Sequence, residues 1–225
     1  MTITIRQSFS FFVLVQLIVF FLTGYGMFIK VHKDHQALTD MLALETYVSL
    51  IEGAAYIWIW YTINDIKNMA TKRYFDWFVT TLLLIFSSIV YFKYEESKEN
   101  GFNEQITARS VWDSEKENIM KMFGYCTVML IFGFLGEINI IPKSISVPIG
   151  FIFFALLFQL IYKYSQRSVK GRQLFPVYCI LWGLYGICAV FPDLYKNIGY
   201  NALDLVSKSF LGLYIFYLST KLRAD

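Results

Sequence analysis

Two short stretches of the chain place ionisable side chains inside strongly apolar sequence. In one stretch Arg73, Asp76 and Thr80 follow one another at spacings of three and four residues, and in the other Asp204 precedes Lys208 by four. On a helix, such spacing puts each group on a single face. A charge in hydrocarbon costs several kcal/mol and persists only where it is paired or lines a cavity. A partner is therefore expected for each of these charges.

Two interpretations of this chemistry remain open. One arginine, one lysine and two carboxylates sum to zero charge, so they could form a buried ion-pair network that joins two helices. Alternatively, Lys208 could react as an amine with an aldehyde, because a desolvated lysine readily forms a Schiff base. Asp76 and Asp204 would then balance its positive charge.

Seven apolar segments supply the helices that must position these side chains. Hydrophobic residues make up 56% of the 225 residues and charged residues only 16%, with a mean hydropathy of +0.49. The segments cover about residues 9–29, 41–63, 74–92, 119–138, 145–164, 174–191 and 198–219. Each is long enough to cross about 30 Å of hydrocarbon as a helix. The sequence therefore predicts an all-α membrane protein, a bundle of seven transmembrane helices in which residues 1–225 form a single domain.

The connections between the segments predict the orientation of the bundle. Most of their Lys and Arg residues fall in loops 1–2, 3–4 and 5–6 and in the C-terminal tail. By the positive-inside rule, this places the N-terminus on the extracellular side and the C-terminus in the cytoplasm. The longest connection, 93–118, is polar, and its second half is compatible with either a short surface helix or a solvated loop.

The two charged stretches together resemble the paired signatures of microbial rhodopsins. One signature is matched in helix 3 by Arg73-Tyr74-x-Asp76-Trp77-x-x-Thr80-Thr81, and the other in helix 7 by Asp204-Leu-Val-x-Lys208. The resemblance implies that Lys208 carries all-trans retinal as a Schiff base, with Asp76, Asp204 and Arg73 as the counterion complex. It also implies a retinal pocket, formed by Trp77, Thr80, Thr81, Met129, Gly133, Trp182 and Tyr185.

Two departures from the family pattern bear on proton pumping. Ser87 stands eleven residues after Asp76, where a pump of this family has a carboxylic proton donor, and a serine has no proton to give at accessible pH. Lys196 stands eight residues before Asp204, where the family has a proton-release carboxylate. Both departures argue against an efficient outward pump but leave a weak one open.

Helix 2 carries a polar stripe that favours a channel. Four polar residues share one face of this otherwise apolar helix: Glu45, Ser49, Glu52 and Tyr56. Helices 1 and 7 could complete a hydrated cation path with Gln16, Asn197 and Asn201. The glutamate-rich helix resembles channelrhodopsins and, more closely, viral group 1 rhodopsins, described as light-gated cation channels. Alternatively, Glu45 and Glu52 lie protonated at a subunit interface or near the lipid headgroups.

The expected function is that of a retinal-binding photoreceptor acting as a light-gated cation channel, for ions such as H+, Na+ or K+. A weak outward proton pump and a sensory rhodopsin are the alternatives. The expected partners are retinal, cations and the lipid bilayer of a plasma membrane, in a cell or a virus-infected host. The outer faces permit a homo-oligomer. No enzymatic activity, metal site or nucleic-acid partner is expected, because the sequence has no phosphate-binding loop or metal-spaced His or Cys cluster.

Overall fold

Seven α-helices make up most of the chain that the computed structural model describes, which comprises residues 2–62 and 68–223, with the backbone alone for residues 2–9. In chain order they are α1 Thr2–Gly26, α2 Gln36–Tyr61, α3 Met69–Glu99, α4 Ala108–Glu137, α5 Lys143–Ser165, α6 Val169–Cys188 and α7 Asp193–Lys221. The prediction of an all-α bundle of seven helices is confirmed. Residue 63 of the second predicted segment, and residues 1, 64–67 and 224–225 of the predicted domain, lie outside the described residues.

Local signals in the sequence set several helix ends. α4 begins with a capping box, in which Thr107 Oγ1 accepts a hydrogen bond from Ser110 N–H and Ser110 Oγ accepts one from Thr107 N–H, both at 3.0 Å. Ser168 caps α6 by accepting from Gly171 N–H at 3.0 Å. α5 and α7 each follow a proline, Pro142 and Pro192, which leaves no N–H to satisfy at that position.

The connection predicted at 93–118 is much shorter in the structure. α3 continues to Glu99 and α4 already begins at Ala108, so the second half of the predicted connection is neither a separate surface helix nor a loop but the first turns of α4. Hydropathy alone missed these turns because their charged side chains lie in water and pair along the helix, as Arg109 does with Asp113 at 3.8 Å. Gly101, at φ 76°, lies in the tight turn between the two helices.

The helices close into a ring in which each contacts the next and α7 returns to α1. α3 runs nearest the centre, because it also contacts α5, α6 and α7. Large apolar side chains are exposed on the outer faces, among them Phe21, Phe75 and Ile180, as expected where lipid is the solvent. Among the described residues, α2, α3, α4, α5 and α7 are long and apolar enough to cross a membrane, and Ser10–Gly26 of α1 is a shorter apolar helix.

Candidate functional site

A buried charge centre lies in the middle of the bundle, around Lys208 of α7. Lys208 Nζ is 2.6 Å from Asp76 Oδ2 of α3, 3.7 Å from Asp204 Oδ1 and 3.5 Å from Glu52 Oε1 of α2. All four side chains are buried. The structure therefore brings together the lysine and both aspartates that the sequence singled out, and it adds a third carboxyl, that of Glu52.

Arg73 forms the second positive charge of this centre. Its Nη1 donates to Asp204 Oδ2 at 2.8 Å and to Tyr56 Oη at 2.9 Å, and its Nη2 donates to Asn201 Oδ1. The guanidinium also lies over the Tyr56 ring, 5.2 Å from its centroid, at a distance typical of a cation–π contact. These contacts fix α3 against α2 and α7 on one side of Lys208.

The three carboxyl groups differ in the number of donors that face them. Asp204 accepts from Arg73, from Tyr56 Oη and Tyr185 Oη at 2.8 Å each, and from Trp77 Nε1 at 3.2 Å. Asp76 accepts from Lys208 at Oδ2, while its Oδ1 has no hydrogen-bond partner. Neither oxygen of Glu52 has one.

The number of donors around each carboxyl group determines how the charges of the centre balance. Lys208 and Arg73 offset two negative charges, so a third buried carboxylate would stay uncompensated at a cost of several kcal/mol. Asp204 has the most donors and Asp76 has the closest contact with Lys208 Nζ. Glu52 is therefore the carboxyl that keeps its proton when the other two are ionised.

An apolar cavity adjoins Lys208 on the side of α4, α5 and α6. The space that no protein atom fills there is about 810 Å³, a figure that includes open solvent at the mouth of the cavity. Six of the seven pocket residues predicted from the resemblance line it: Trp77, Thr81, Met129, Gly133, Trp182 and Tyr185. The seventh, Thr80, is wholly buried elsewhere and its Oγ1 donates to the Asp76 carbonyl at 3.0 Å.

The shape of this cavity depends on two glycines. A methyl group at Gly133 of α4 would lie 2.7 Å from Tyr74 Oη, and one at Gly186 of α6 would lie 2.6 Å from the Phe151 ring. An apolar space ringed by tryptophans and tyrosines, with one reactive amine in its wall, fits a long conjugated aldehyde such as retinal. Tyr74, Phe151 and Phe154 also line the cavity. Tyr74 belongs to the helix 3 signature but was not assigned to the pocket, and no sequence signal separated the two phenylalanines from ordinary core aromatics.

The polar stripe of α2 faces the inside of the bundle. Glu45, Ser49, Glu52 and Tyr56 are all buried within this single chain, which contradicts the alternative that the two glutamates lie at a subunit interface or near the headgroups. Glu45 Oε1 accepts from Ser87 Oγ of α3 at 2.6 Å. Glu45 of the polar stripe is thus paired with Ser87, the residue at the proton-donor position of α3. Spacing within one helix could not reveal this pairing.

The remaining residues of the predicted ion path are spread along the bundle. Asn201 belongs to the charge centre through Arg73. Asn197 is buried one turn earlier in α7, and its Nδ2 donates to the Asp193 carbonyl at 2.8 Å. Gln16 of α1 is buried, and its Oε1 has no hydrogen-bond partner.

Lys196 is held in a separate cluster at the end of the bundle where α7 begins. The lysine is buried, donates to Glu137 of α4 and donates to Asp193 Oδ1 at 2.8 Å. Glu137 also pairs with Lys143 of α5 at 3.5 Å. By the resemblance, this position should hold a proton-release carboxylate. It holds a lysine instead, whose positive charge is balanced by two acidic residues.

The chain matches a known family over nearly its whole length. The family model described as "Bacteriorhodopsin-like protein" covers residues 7–222. A search among curated proteins found no match.

Solved structures with the same fold include a viral protein and two pumps. The viral rhodopsin OLPVRII is 25% identical to this chain, with a TM-score of 0.81, and the alignment covers 98% of this chain and 100% of that chain. Xanthorhodopsin, described as a light-driven ion pump with dual chromophore, is 18% identical with a TM-score of 0.68 over 97% of this chain and 94% of that chain. The proton pumping rhodopsin AR2 of the marine alga Acetabularia acetabulum is 15% identical with a TM-score of 0.73 over 97% and 95%. At these identities the two pumps show the shared fold alone.

Proposed function

The chain belongs to the bacteriorhodopsin-like protein family, and on that premise we propose that it acts as a light-gated cation channel. It is an integral, multi-pass membrane protein, and its family implies a retinal chromophore. In the proposal, residues 1–225 form one seven-helix domain that holds all-trans retinal on Lys208. Retinal bound there would supply absorption of visible light and a light-driven change of shape beside the charge centre.

The residues around Lys208 are arranged to hold and move a proton. Asp76 Oδ2 lies 2.6 Å from Lys208 Nζ, within reach for direct transfer of a proton from that nitrogen. Asp204 already accepts from Arg73 and three other donors, so these contacts would keep Arg73 in place. Transfer to Asp76 would therefore remove the Lys208–Asp76 ion pair, one of two between α3 and α7, and leave the Arg73–Asp204 pair intact.

One observation carries the channel proposal: a row of buried polar side chains runs along α2 beside the charge centre. Glu45 and Glu52 are seven residues apart, which is about 10 Å along a helix. Glu45 Oε2 and both oxygens of Glu52 in this row have no hydrogen-bond partner, and neither has Oε1 of the buried Gln16 on α1. Buried polar atoms of that kind are rare and costly in native proteins, and water entering the row would bond to them. A hydrated row lined by carboxyl and amide oxygens favours cations.

The channel proposal is tested at Glu52. The Glu52→Gln variant keeps the volume of the side chain but cannot become negative, so we expect light-evoked cation conductance to fall by roughly twofold or more and the Na+/H+ permeability ratio to change. Whole-cell recordings of reversal potential in changed Na+, K+ and H+ gradients measure both. Glu95→Gln is the matched control, because Glu95 is also a buried glutamate but lies near the end of α3, paired with Lys98 at 4.0 Å. Equal conductance and permeability in Glu52→Gln and the unaltered chain would contradict the proposed path.

An outward proton pump is the second candidate, favoured by the hydrogen bond between Ser87 and Glu45. That bond places a carboxyl beside the donor position of α3, which the sequence alone left without one. Two structures of the same fold belong to proteins described as pumps. A pump predicts a light-driven current of one direction at every voltage, whereas a channel predicts one that changes sign.

A further inference from the structure

The connection between α5 and α6 is short and tightly built. α5 ends at Ser165 and α6 begins at Val169, so residues 166–168 alone join them. The buried Ser168 caps α6 by accepting from Gly171 N–H at 3.0 Å. A methyl group at Gly171 would collide with the Ser165 carbonyl oxygen, so this glycine allows the two helix ends to lie close together. Side chains in the adjoining turns are therefore brought onto one small area of the surface.

This area is strongly basic. The sequence has no Asp or Glu between Glu137 and Asp193, although the whole chain has 17, so every charged residue from the start of α5 to the end of α6 is positive. Four exposed cations lie in or next to the connection: Lys163, Arg167, Lys170 and Arg172. The anionic groups that balance them must therefore come from other helices or from outside the chain.

α3 supplies only part of this balance. Glu96 Oε2 lies 3.4 Å from Arg167 Nη1, and Glu99 Oε1 accepts from Val169 N–H at 2.6 Å. Among the residues that the structure describes, the other three cations take part in no ion pair, and we call them the basic patch: Lys163, Lys170 and Arg172.

Two members of the basic patch have a weaker neighbour. Glu95 of α3 is near enough to Lys170 for the two charges to interact, but Glu95 is paired with Lys98 at 4.0 Å. Arg172 Nη1 donates to the Gln166 carbonyl at 2.9 Å, which holds the guanidinium over the connection. The patch is therefore a fixed group of exposed donors whose charge the chain leaves unpaired.

Apolar side chains that face outward flank the basic patch. Tyr162 of α5 and Val169 of α6 are each 48% exposed, and the Tyr162 ring packs edge-on against Phe175 of α6, 5.2 Å between centroids. In a membrane-spanning bundle such side chains contact lipid, and a tyrosine beside cations is typical of the headgroup level. Cations above an apolar surface fit an amphiphile that carries a phosphate, since Lys and Arg have only donors to offer and phosphate only acceptors.

We propose that the basic patch binds the headgroup of an anionic phospholipid, whose acyl chains lie against the outer faces of α5 and α6. A free phosphate would leave the apolar neighbours of the patch unused, and so would an acidic protein segment. The positive-inside rule assigns this face of the bundle to the cytoplasm, and the cytoplasmic leaflet is the one that carries anionic lipids. The inference does not depend on whether the chain is a channel or a pump.

Native mass spectrometry of the full chain in detergent, titrated with phosphatidylglycerol, tests the proposal. A variant without the patch carries Lys163→Gln, Lys170→Gln and Arg172→Gln. We expect it to bind phosphatidylglycerol more weakly by roughly tenfold or more. The matched control removes three exposed cations of α4 on the same face of the bundle, each within four residues of an acidic residue: Arg109→Gln, Lys116→Gln and Lys121→Gln. The control should keep the affinity of the unaltered chain to within about twofold.

Three further probes separate an anionic lipid from other ligands. Phosphatidylcholine, which has the same phosphate but no net charge, should bind the unaltered chain more weakly than phosphatidylglycerol, and so should the headgroup alone, glycerophosphoglycerol. Equal binding of either one would overturn the proposal. Tighter binding of a polyglutamate peptide would also overturn it, in favour of an acidic protein partner.

The variants themselves decide whether the basic patch is the site. Equal affinity for phosphatidylglycerol in the patch variant and the unaltered chain would overturn the proposal, and so would an equal loss in the control. Because the three side chains are exposed, we expect helical circular dichroism to be unchanged. If the triple variant failed to fold, the single variants Lys170→Gln and Arg172→Gln would carry the test, each with a loss of roughly threefold or more.

Discussion

At the residue scale, the carboxyl groups around Lys208 are distinguished by the donors that each one faces. Asp204 is fixed by Arg73, Tyr56, Tyr185 and Trp77, whereas Asp76 has Lys208 and one oxygen without a partner. A carboxylate held by several donors is stabilised in its charged form, and one with a single charged neighbour can more easily accept a proton. The two aspartates therefore have different roles although each lies near the same lysine.

The contribution of Arg73 to the stability of the fold can be measured on the retinal-free protein. The Arg73→Gln variant removes the cation that compensates Asp204 and leaves a buried carboxylate, which should lower the free energy of unfolding by about 3–5 kcal/mol. Thermal unfolding followed by circular dichroism in detergent reports the change. The control Arg109→Gln breaks an ion pair on the exposed surface of α4 and should change stability by about 0–1 kcal/mol. If the two variants were equally stable, the ranking of the three carboxyl groups by the donors that face them would be refuted.

Sequence spacing found Asp76, Asp204 and Lys208 but not all of their partners. Those three residues stood out because charges are rare in apolar helices, and the motif assigned them to a common site. Two contacts depend on how far α2 is shifted along α3 and α7: the one between Glu52 and Lys208, and the one between Glu45 and Ser87. Spacing within one helix contains no information on that shift, so these contacts required the structure.

At the element scale, the helices determine which side chains can meet, and small residues determine how closely the helices approach. α4 approaches α3 at Gly133, where the Tyr74 hydroxyl occupies the space that a side chain would need. Hydropathy predicted each of the seven helices, since crossing a bilayer demands a long apolar run. It underestimated α3 and α4, because their charged end turns lie in water and are stabilised by pairs such as Arg109 with Asp113.

The close approach of α4 to α3 can be tested by adding one methyl group. In Gly133→Ala the new atom would lie 2.7 Å from Tyr74 Oη, so Tyr74 must shift. Because both residues line the cavity, we expect less than half of the normal visible absorption after retinal is added. Gly124→Ala is the matched control on the same helix, because a methyl group there meets nothing within 4 Å. Absorption spectra at equal protein concentration compare the two, and a full yield of pigment in Gly133→Ala would contradict this placement of the cavity wall.

At the scale of the whole molecule, the charge centre divides the bundle into two unlike halves. On the side where α7 begins, Arg73 and the cluster of Lys196 with Glu137 and Asp193 connect the helices through ion pairs. On the side where α7 ends, Lys93 pairs with Glu115 between α3 and α4, but the buried Glu45 of α2 depends on a single serine. A change of charge at Lys208 would therefore loosen the packing of α2 around Glu45 more easily than the ion-paired side where α7 begins.

The central claim is that Lys208 couples light to a passive cation path. The most direct measurement is the whole-cell photocurrent as a function of voltage with retinal present, for the unaltered chain and for Lys208→Ala. The account predicts a light-evoked current in the unaltered chain only, which changes sign near the equilibrium potential of the permeant cations. A Lys208-dependent current that never reverses would contradict the channel and support the pump. A current that persists in Lys208→Ala would contradict the assignment of the chromophore site itself.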